Sequence, residues 1–276
     1  MEDEQVGYER RGPLAIIRLE RPDALNPLTY PMIAGGERRA REAEADPEVF
    51  AICITGAGRG FCAGIDMGVL TRQTQGEAPR RETPGQDAGA AAARARPALF
   101  SFLLDVSKPV IAAINGVGAG GGFVLAMMCD LRFMAAEANL ITVFSRRGLI
   151  AEHGTSWLLP RIVGLSRALD LLWSSRRLDA DEALRIGLAD RVVPGERLLD
   201  EVQAYATQMA QSVSPRAVAT IKAQVLRHLE CGFDQAALEA DALMTAALRH
   251  PDAAEGARSF VERRPPRFAA WKGEQA

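Results

Sequence analysis

The sequence predicts an α/β body followed by a helical C-terminal region, and three observations carry that expectation. Short apolar runs rich in β-branched residues recur at Leu14 to Glu20, Val49 to Thr55 and Pro109 to Ile114, each about the length of a buried strand. Helix-patterned segments separate these runs, and strands alternating with helices are the signature of an α/β fold. Beyond residue 195 the helical pattern continues without further strands. The chain accordingly divides into a core over 1–195 and a helical region over 196–276.

Taken in order, Gln5 to Arg10 and Leu14 to Glu20 read as strands of a hairpin that turns at Gly12 and Pro13. Thr29 is placed to cap a helix with Pro31 in its first turn, running to Ala45. Gly35 and Gly36 inside it cost roughly 1 kcal/mol each relative to Ala, which points to close packing or a break. Val49 to Thr55 is a buried strand. From Thr71 to Arg96 the composition shifts to Gly, Pro, Gln, Ala and Arg. That composition predicts a mobile loop beside the site, with Ala88 to Ala95 entering the next helix, or a disordered surface insertion. A helix over Pro97 to Val106 leads to the strand Pro109 to Ile114 and a helix over Phe123 to Cys129. Leu131 to Ala135 and Asn139 to Thr142 are short strands, Gly148 to His153 is a loop, and a helical region begins with Thr155 to Val163. Asp179 to Gly187 is a helix and Arg191 to Val193 a last strand. The remainder is helical over Glu196 to Ser212, Pro215 to Glu230, Asp234 to Arg249 and Asp252 to Glu262.

Length and charge narrow the function classes. The 276 residues suffice for one large domain, or one domain with a helical appendage. A net charge of −2 predicts no electrostatic attraction to nucleic acid or to a membrane surface. Cys53, Cys62, Cys129 and Cys231 lack the C-x-x-C spacing of a zinc or redox site and read as small buried hydrophobes in a reducing compartment. No metal site is expected. The acidic N-terminus MEDEQVGYE has no apolar segment of a signal peptide, and no apolar run is long enough to span a bilayer. The expectation is a cytoplasmic protein.

Chemistry concentrates in KPVIAAINGVGAGGGFVLAMMCD, Lys108 to Asp130. An apolar strand ends at Asn115 and Gly116, and Gly120, Gly121 and Gly122 bring bare backbone to the mouth of an apolar helix. The first N–H groups of a helix lack intrahelical partners, and the helix dipole adds positive potential there. Such a place binds a phosphate or holds an oxyanion that develops during a reaction. Gly116, Gly118 and Gly121 satisfy G-x-G-x-x-G, with Glu137 near the distance of a ribose-binding acid. From this segment alone a dinucleotide site, an oxyanion site and a glycine packing turn are all open. A second glycine-bearing loop, GRGFCAGIDM over Gly58 to Met67, follows the strand Val49 to Thr55.

Together, FCAGIDM and NGVGAGGGFVLAMMCD resemble the two oxyanion-hole loops of the crotonase superfamily, the enoyl-CoA hydratase/isomerase family. The resemblance runs from about Leu14 to the C-terminus through RPDALNPL, RRLDADEALRIGLADRVV and SFVERRPPRF. It implies a spiral of ββα turns whose helical C-terminal region packs homotrimers, often paired into hexamers. It implies an acyl-CoA thioester substrate, with coenzyme A entering as part of the substrate and no separate cofactor. The enolate oxygen would be held by the Ile65 and Gly121 N–H groups. Ala24, Ala63, Asp66 and Met67 would lie along the CoA, and Gly120, Val124 and Phe144 would line the substrate site; Arg267 or Lys272 is a candidate phosphate contact, the competing reading being a solvated terminal cation.

One departure from the family bears on the reaction. Hydratases of the well-known kind hold water between two glutamates, and those positions are Val124 and Phe144 here. Neither side chain exchanges a proton. Glu152, in RRGLIAEHGTSWLLPRIVG, falls where other branches of the superfamily carry an acid. Facing an apolar pocket, its charged form would be desolvated and its pKa raised into a useful range. One carboxylate suits moving a proton between two carbons, as in double-bond isomerisation. The competing reading of Glu152 is a loop or N-cap residue before Thr155. His153 is a second candidate, assisting Glu152 or a water, or serving structure at the helix entrance. Three further readings stay in view: a β-diketone hydrolase of the same fold, a catalytically idle acyl-CoA binder and a nucleotide-dependent dehydrogenase. A peptidase relative of the fold lacks an evident Ser–His–Asp set.

Overall fold

A computed structural model describes residues 5–75 and 98–273. The expected loop beyond residue 75, with its Ala-rich end, lies outside the described residues. The chain opens with β1 (Val6–Arg11) and β2 (Leu14–Leu19), antiparallel through the Gly12 turn, where φ is +54°. A short 3-10 turn over Pro22–Ala24 leads to α1 (Tyr30–Ala45), which starts where Thr29 accepts a hydrogen bond from the Met32 N–H. Gly35 does not break α1. A Cβ there would meet Val6 Cγ2 at 3.5 Å, an ordinary packing distance, so the helix packs on β1 at this position without needing the glycine. The buried Lys108 ammonium closes the other end of α1 by donating to the Ala43 and Asp46 carbonyls, and burial lowers its pKa to about 8.

Three turns of chain then build two sheets. β3 (Ala51–Gly56) is followed by β4 (Gly60–Cys62) and α2 (Met67–Thr74), so Thr71 to Thr74 is helical rather than the start of a loop. α3 (Phe102–Asp105) is much shorter than the expected helix over Pro97 to Val106, because Phe100, at φ +62°, interrupts the chain before it. β5 (Val110–Ile114), β6 (Val117–Ala119) and α4 (Gly121–Met128) form the central turn, and β7 (Leu131–Ala135) and β8 (Asn139–Ile141) the next. There follow α5 (Thr155–Val163), α6 (Leu165–Ser174), β9 (Leu178–Asp179), α7 (Ala180–Arg185) and β10 (Arg191–Val193).

The first strand of each turn enters a six-stranded sheet ordered β1-β2-β3-β5-β7-β10, parallel apart from the β1–β2 hairpin. The second strand enters a four-stranded sheet ordered β4-β6-β8-β9. This is the spiral of ββα turns that the resemblance implies. Both sheets leave α4 in the interior, and every residue from Gly121 to Met128 is buried. Cys53, Cys62 and Cys129 are buried with it, and burial raises the Cys53 and Cys62 thiols to about 12.

Four helices end the chain: α8 (Leu198–Ser212), α9 (Pro215–His228), α10 (Phe233–Leu248) and α11 (Pro251–Val261). α8 lies on the large sheet through Leu198, Val202 and Ala206. The next three bury little: Ala219 on α9, nothing on α10, Ser259 on α11. Phe233 and Phe260 stand 84% and 85% exposed. No helix among the described residues is long and apolar enough to cross a membrane.

Candidate active site

The site forms where two glycine-bearing loops cross, and two asparagines, Asn26 buried and Asn115 partly so, hold the first of them. Asn26, in the left-handed region at φ +56°, accepts from the Arg21 N–H and donates to the Ala57 and Gly60 carbonyls at 2.9 and 2.8 Å. From the other side Asn115 donates to the Gly58 and Gly60 carbonyls and accepts from the Gly56 N–H. Sequence reasoning named Asn115 only as the end of a strand and did not single out Asn26. The signal available was Asn26 beside Pro27 and Asn115 beside Gly116, both turn-forming pairs.

The loops then pass each other backbone against backbone. β4 and β6 pair through Gly60↔Val117 and Cys62↔Gly118. A Cβ on Gly116 would come within 2.1 Å of the Arg59 oxygen, one on Gly122 within 2.2 Å of the Cys62 oxygen, and one on Gly64 within 2.8 Å of the Ala119 oxygen. Only glycine admits contacts this close at these positions.

This crossing sets the direction of two amides. Leu28 and Ile65 form a parallel bridge in which Gly64 O accepts the Leu28 N–H and the Asp66 N–H donates to Leu28 O. In a trans peptide the N–H points opposite the C=O, so the Ile65 N–H points away from Leu28. Likewise Gly120 O accepts the first helical bond of α4, from the Val124 N–H at 2.9 Å, so the Gly121 N–H points out of the helix mouth. Ile65 N lies 3.4 Å from where a Gly121 Cβ would be. Among the described residues neither amide has a hydrogen-bond acceptor. Two unpaired donors from separate turns therefore sit together at the positive end of α4, an arrangement that can hold an oxyanion.

The other sequence-predicted residues distribute around this point. Ala24 is exposed on the 3-10 turn, and the Ala63 N–H donates to the adjoining Leu25 carbonyl. Asp66 accepts from the Gly68 N–H at the start of α2 and pairs with Arg21 at 2.8 Å. The Arg21 guanidinium holds the Asp66 carboxyl below its usual range. Met67 is exposed, with its sulfur 3.6 Å from Arg147 Nη1. Gly120, at φ +51°, donates to Ile141 O. Val124 and Phe144 are buried in the apolar core. Arg267 and Lys272 are exposed.

Glu152 and His153 lie on the approach to α5, where Gly154 neighbours Met128 at the far end of α4. The helix start at α5 is made by Gly154 in the left-handed region, and Glu152 contributes its carbonyl there, to the Thr155 N–H. Its carboxylate has no hydrogen bond or ion pair among the described residues. Burial alone raises its pKa. His153, at φ +51°, accepts the Leu99 N–H on Nδ1 at 3.4 Å and so ties this approach to the segment before α3.

Comparison with known proteins bears on this geometry. The family model of enoyl-CoA hydratase/isomerase matches residues 9–272. The chain is 34% identical over 254 residues to a 1,2-epoxyphenylacetyl-CoA isomerase of Escherichia coli, covering 91% of this chain and 93% of that protein. It is 32% identical over 266 residues to a short-chain-enoyl-CoA hydratase of Clostridium acetobutylicum, covering 96% and 97%. A crystal structure of an enoyl-CoA hydratase from Bacillus anthracis superposes with a TM-score of 0.84 at 26% identity, covering 98% of this chain and all of that one (100%). The crossing loops, the two-sheet spiral and the length of the match agree: this chain belongs to the enoyl-CoA hydratase/isomerase family.

Proposed function

We propose that the protein acts on acyl-CoA thioesters through an enolate held by the Ile65 and Gly121 N–H groups, with Glu152 as the single acid/base. The observation that carries this reading is the pair of unpaired amides facing one site. Fixed donors aimed at an oxygen that gains charge lower the barrier, and one such donor is typically worth about 3–4 kcal/mol. The relatives named for CoA thioesters, an isomerase and a hydratase, support the substrate class.

The reaction we favour is isomerisation. Val124 and Phe144 are apolar and buried where a water-holding glutamate pair would stand, so hydration by that route has no carboxylates to use. Glu152, whose carboxylate has no partner among the described residues and a raised pKa, lies two residues before Gly154, which neighbours the far end of α4, and this suits proton transfer at a carbon removed from the thioester. Met67, Asp66, Ala63 and Ala24 would follow the CoA away from the amides, and Gly120, Val124 and Phe144 would border the acyl group. His153, with Nδ1 engaged by the Leu99 N–H, would act by holding Glu152 in place. The exposed apolar faces of α9, α10 and α11 would be covered in a homotrimer or a dimer of trimers.

The experiment is deuterium exchange from solvent into bound enoyl-CoA, compared for the wild-type protein and Glu152→Gln. Loss of about 10²–10⁴-fold in exchange with acyl-CoA binding retained is expected for a general acid/base. Exchange that survives the substitution removes Glu152 from the mechanism. Failure of the wild-type protein to bind any acyl-CoA removes the substrate class.

A further inference from the structure

Behind the Gly121 amide lies a cluster of three hydroxyls that the reading above does not use. β8 ends at Ile141, and Val143 follows at φ +56°. That region is an outlier for a β-branched side chain and persists only where the surroundings enforce it. The two residues that flank this strained turn are fastened to the end of α6. Thr142 Oγ1 donates to Leu171 O at 2.9 Å, and Ser145 Oγ donates to Trp173 O at 2.7 Å. Between them stands Ser175, fully buried and itself left-handed at φ +45°, with its Oγ 3.1 Å from Thr142 Oγ1 and 2.8 Å from Ser145 Oγ. Each hydroxyl has one hydrogen. Thr142 and Ser145 spend theirs on carbonyls, so each faces Ser175 as an acceptor, and the single Ser175 hydrogen is shared between them or serves one at a time.

The enforced turn presses on the helix mouth. Val143 Cγ2 lies 3.0 Å from where a Cβ of Gly120 would be, and Gly120 donates to Ile141 O one residue before Thr142. The ψ of Gly120, −112°, sets the plane of the peptide that carries the Gly121 N–H. We propose that Thr142, Ser145 and Ser175 form a clamp that holds Val143 against Gly120 and thereby aims the Gly121 N–H at the substrate carbonyl. They are positioning residues, not catalytic ones, and the inference rests on the oxyanion role proposed above. A donor displaced by even a fraction of an ångström contributes less to the transition state than to binding, so the clamp acts on kcat rather than on KM.

The test uses Thr142→Val, Ser145→Ala and the double variant, with Thr142→Ser as the conservative control. Loss of the Thr142 hydroxyl does not orphan the Leu171 carbonyl, which keeps the Ser175 N–H at 3.1 Å. The readout is the absorption of bound cinnamoyl-CoA, whose conjugated carbonyl moves to longer wavelength as it is polarised, alongside Kd and exchange kinetics. The wild-type protein and Thr142→Ser should show the full red shift. The double variant should bind with Kd within about threefold, lose at least about half of the shift and fall about tenfold in kcat at unchanged KM. A double variant with the full shift and full kcat overturns the clamp. A wild-type protein that binds cinnamoyl-CoA without any red shift overturns the oxyanion role itself, and the clamp with it.

Discussion

At the scale of single residues, the charged groups of the site answer to their surroundings with opposite signs. Arg21 holds the Asp66 carboxyl below its ordinary value of 3.8. The ionised form is favoured in the fold, so its stabilisation is present above that value and is lost as the pH falls through the lowered one. The difference in urea midpoint between the wild-type protein and Asp66→Asn should therefore be greatest at pH 5 and shrink toward pH 3; a constant difference would remove the ion pair as its source. Glu152 behaves the other way, because burial raises its pKa above 4.5. Its ionised form is disfavoured in the fold, a cost that appears as the pH rises through the raised value. In the proposed role of base it must be ionised, so the acid limb of kcat/KM should lie above pH 4.5. At pH 8 Glu152→Gln should lose activity yet melt higher than the wild-type protein, and a lower melting temperature would contradict the desolvation account.

At the scale of elements, legibility in the sequence followed the strength of local signals. Thr29 and Pro31 marked the start of α1 because capping chemistry is local, and the structure shows the Thr29 cap. Replacing Thr29 by Ala should cost about 1 kcal/mol of stability, measured by chemical denaturation. Leu131–Ala135 and Arg191–Val193 were equally readable, as short apolar strands. β4 and β6 were not: each has three residues, and the glycines in them erase the alternation that marks a strand. They form because the sheet pairs them across the chain, a non-local cause that no window of sequence contains. The site divides in the same way. The glycines of both loops announced themselves, whereas the ties made by Asn26 and Asn115 across roughly 30 and 55 residues of chain depend on the finished fold. The hydroxyl clamp was hidden for the same reason, since Thr142 and Ser175 meet only after α5 and α6 have packed.

At the scale of the whole molecule, burial stops abruptly after α8. α10 buries no residue and presents Phe233, Leu238 and Leu248 to solvent, while Phe260 and Val261 stand out from α11. Apolar surface gathered in this way marks a region that another molecule covers. A second and third copy of the chain are the occupants we expect. Light scattering of the wild-type protein should give a mass that is a multiple of the trimer, and Phe233→Glu with Phe260→Glu should give a smaller species of unchanged helicity. A wild-type mass of one chain would refute the assembly.

The crossing of the loops has a consequence for how such a protein can change over generations. Both donors at the helix mouth belong to the main chain, so no exchange of the letter at 65 except to proline deletes one, whereas a methyl group at Gly64, Gly116 or Gly122 would strike the opposing strand of backbone. In a saturation library selected for turnover, position 65 should accept many alternatives and those three glycines almost none. The lineage is thus held to a trajectory and left free in its lining. On the proposed oxyanion role, new reactions can be tried by rewriting what surrounds the substrate carbonyl, and the pair of amides is passed on untouched.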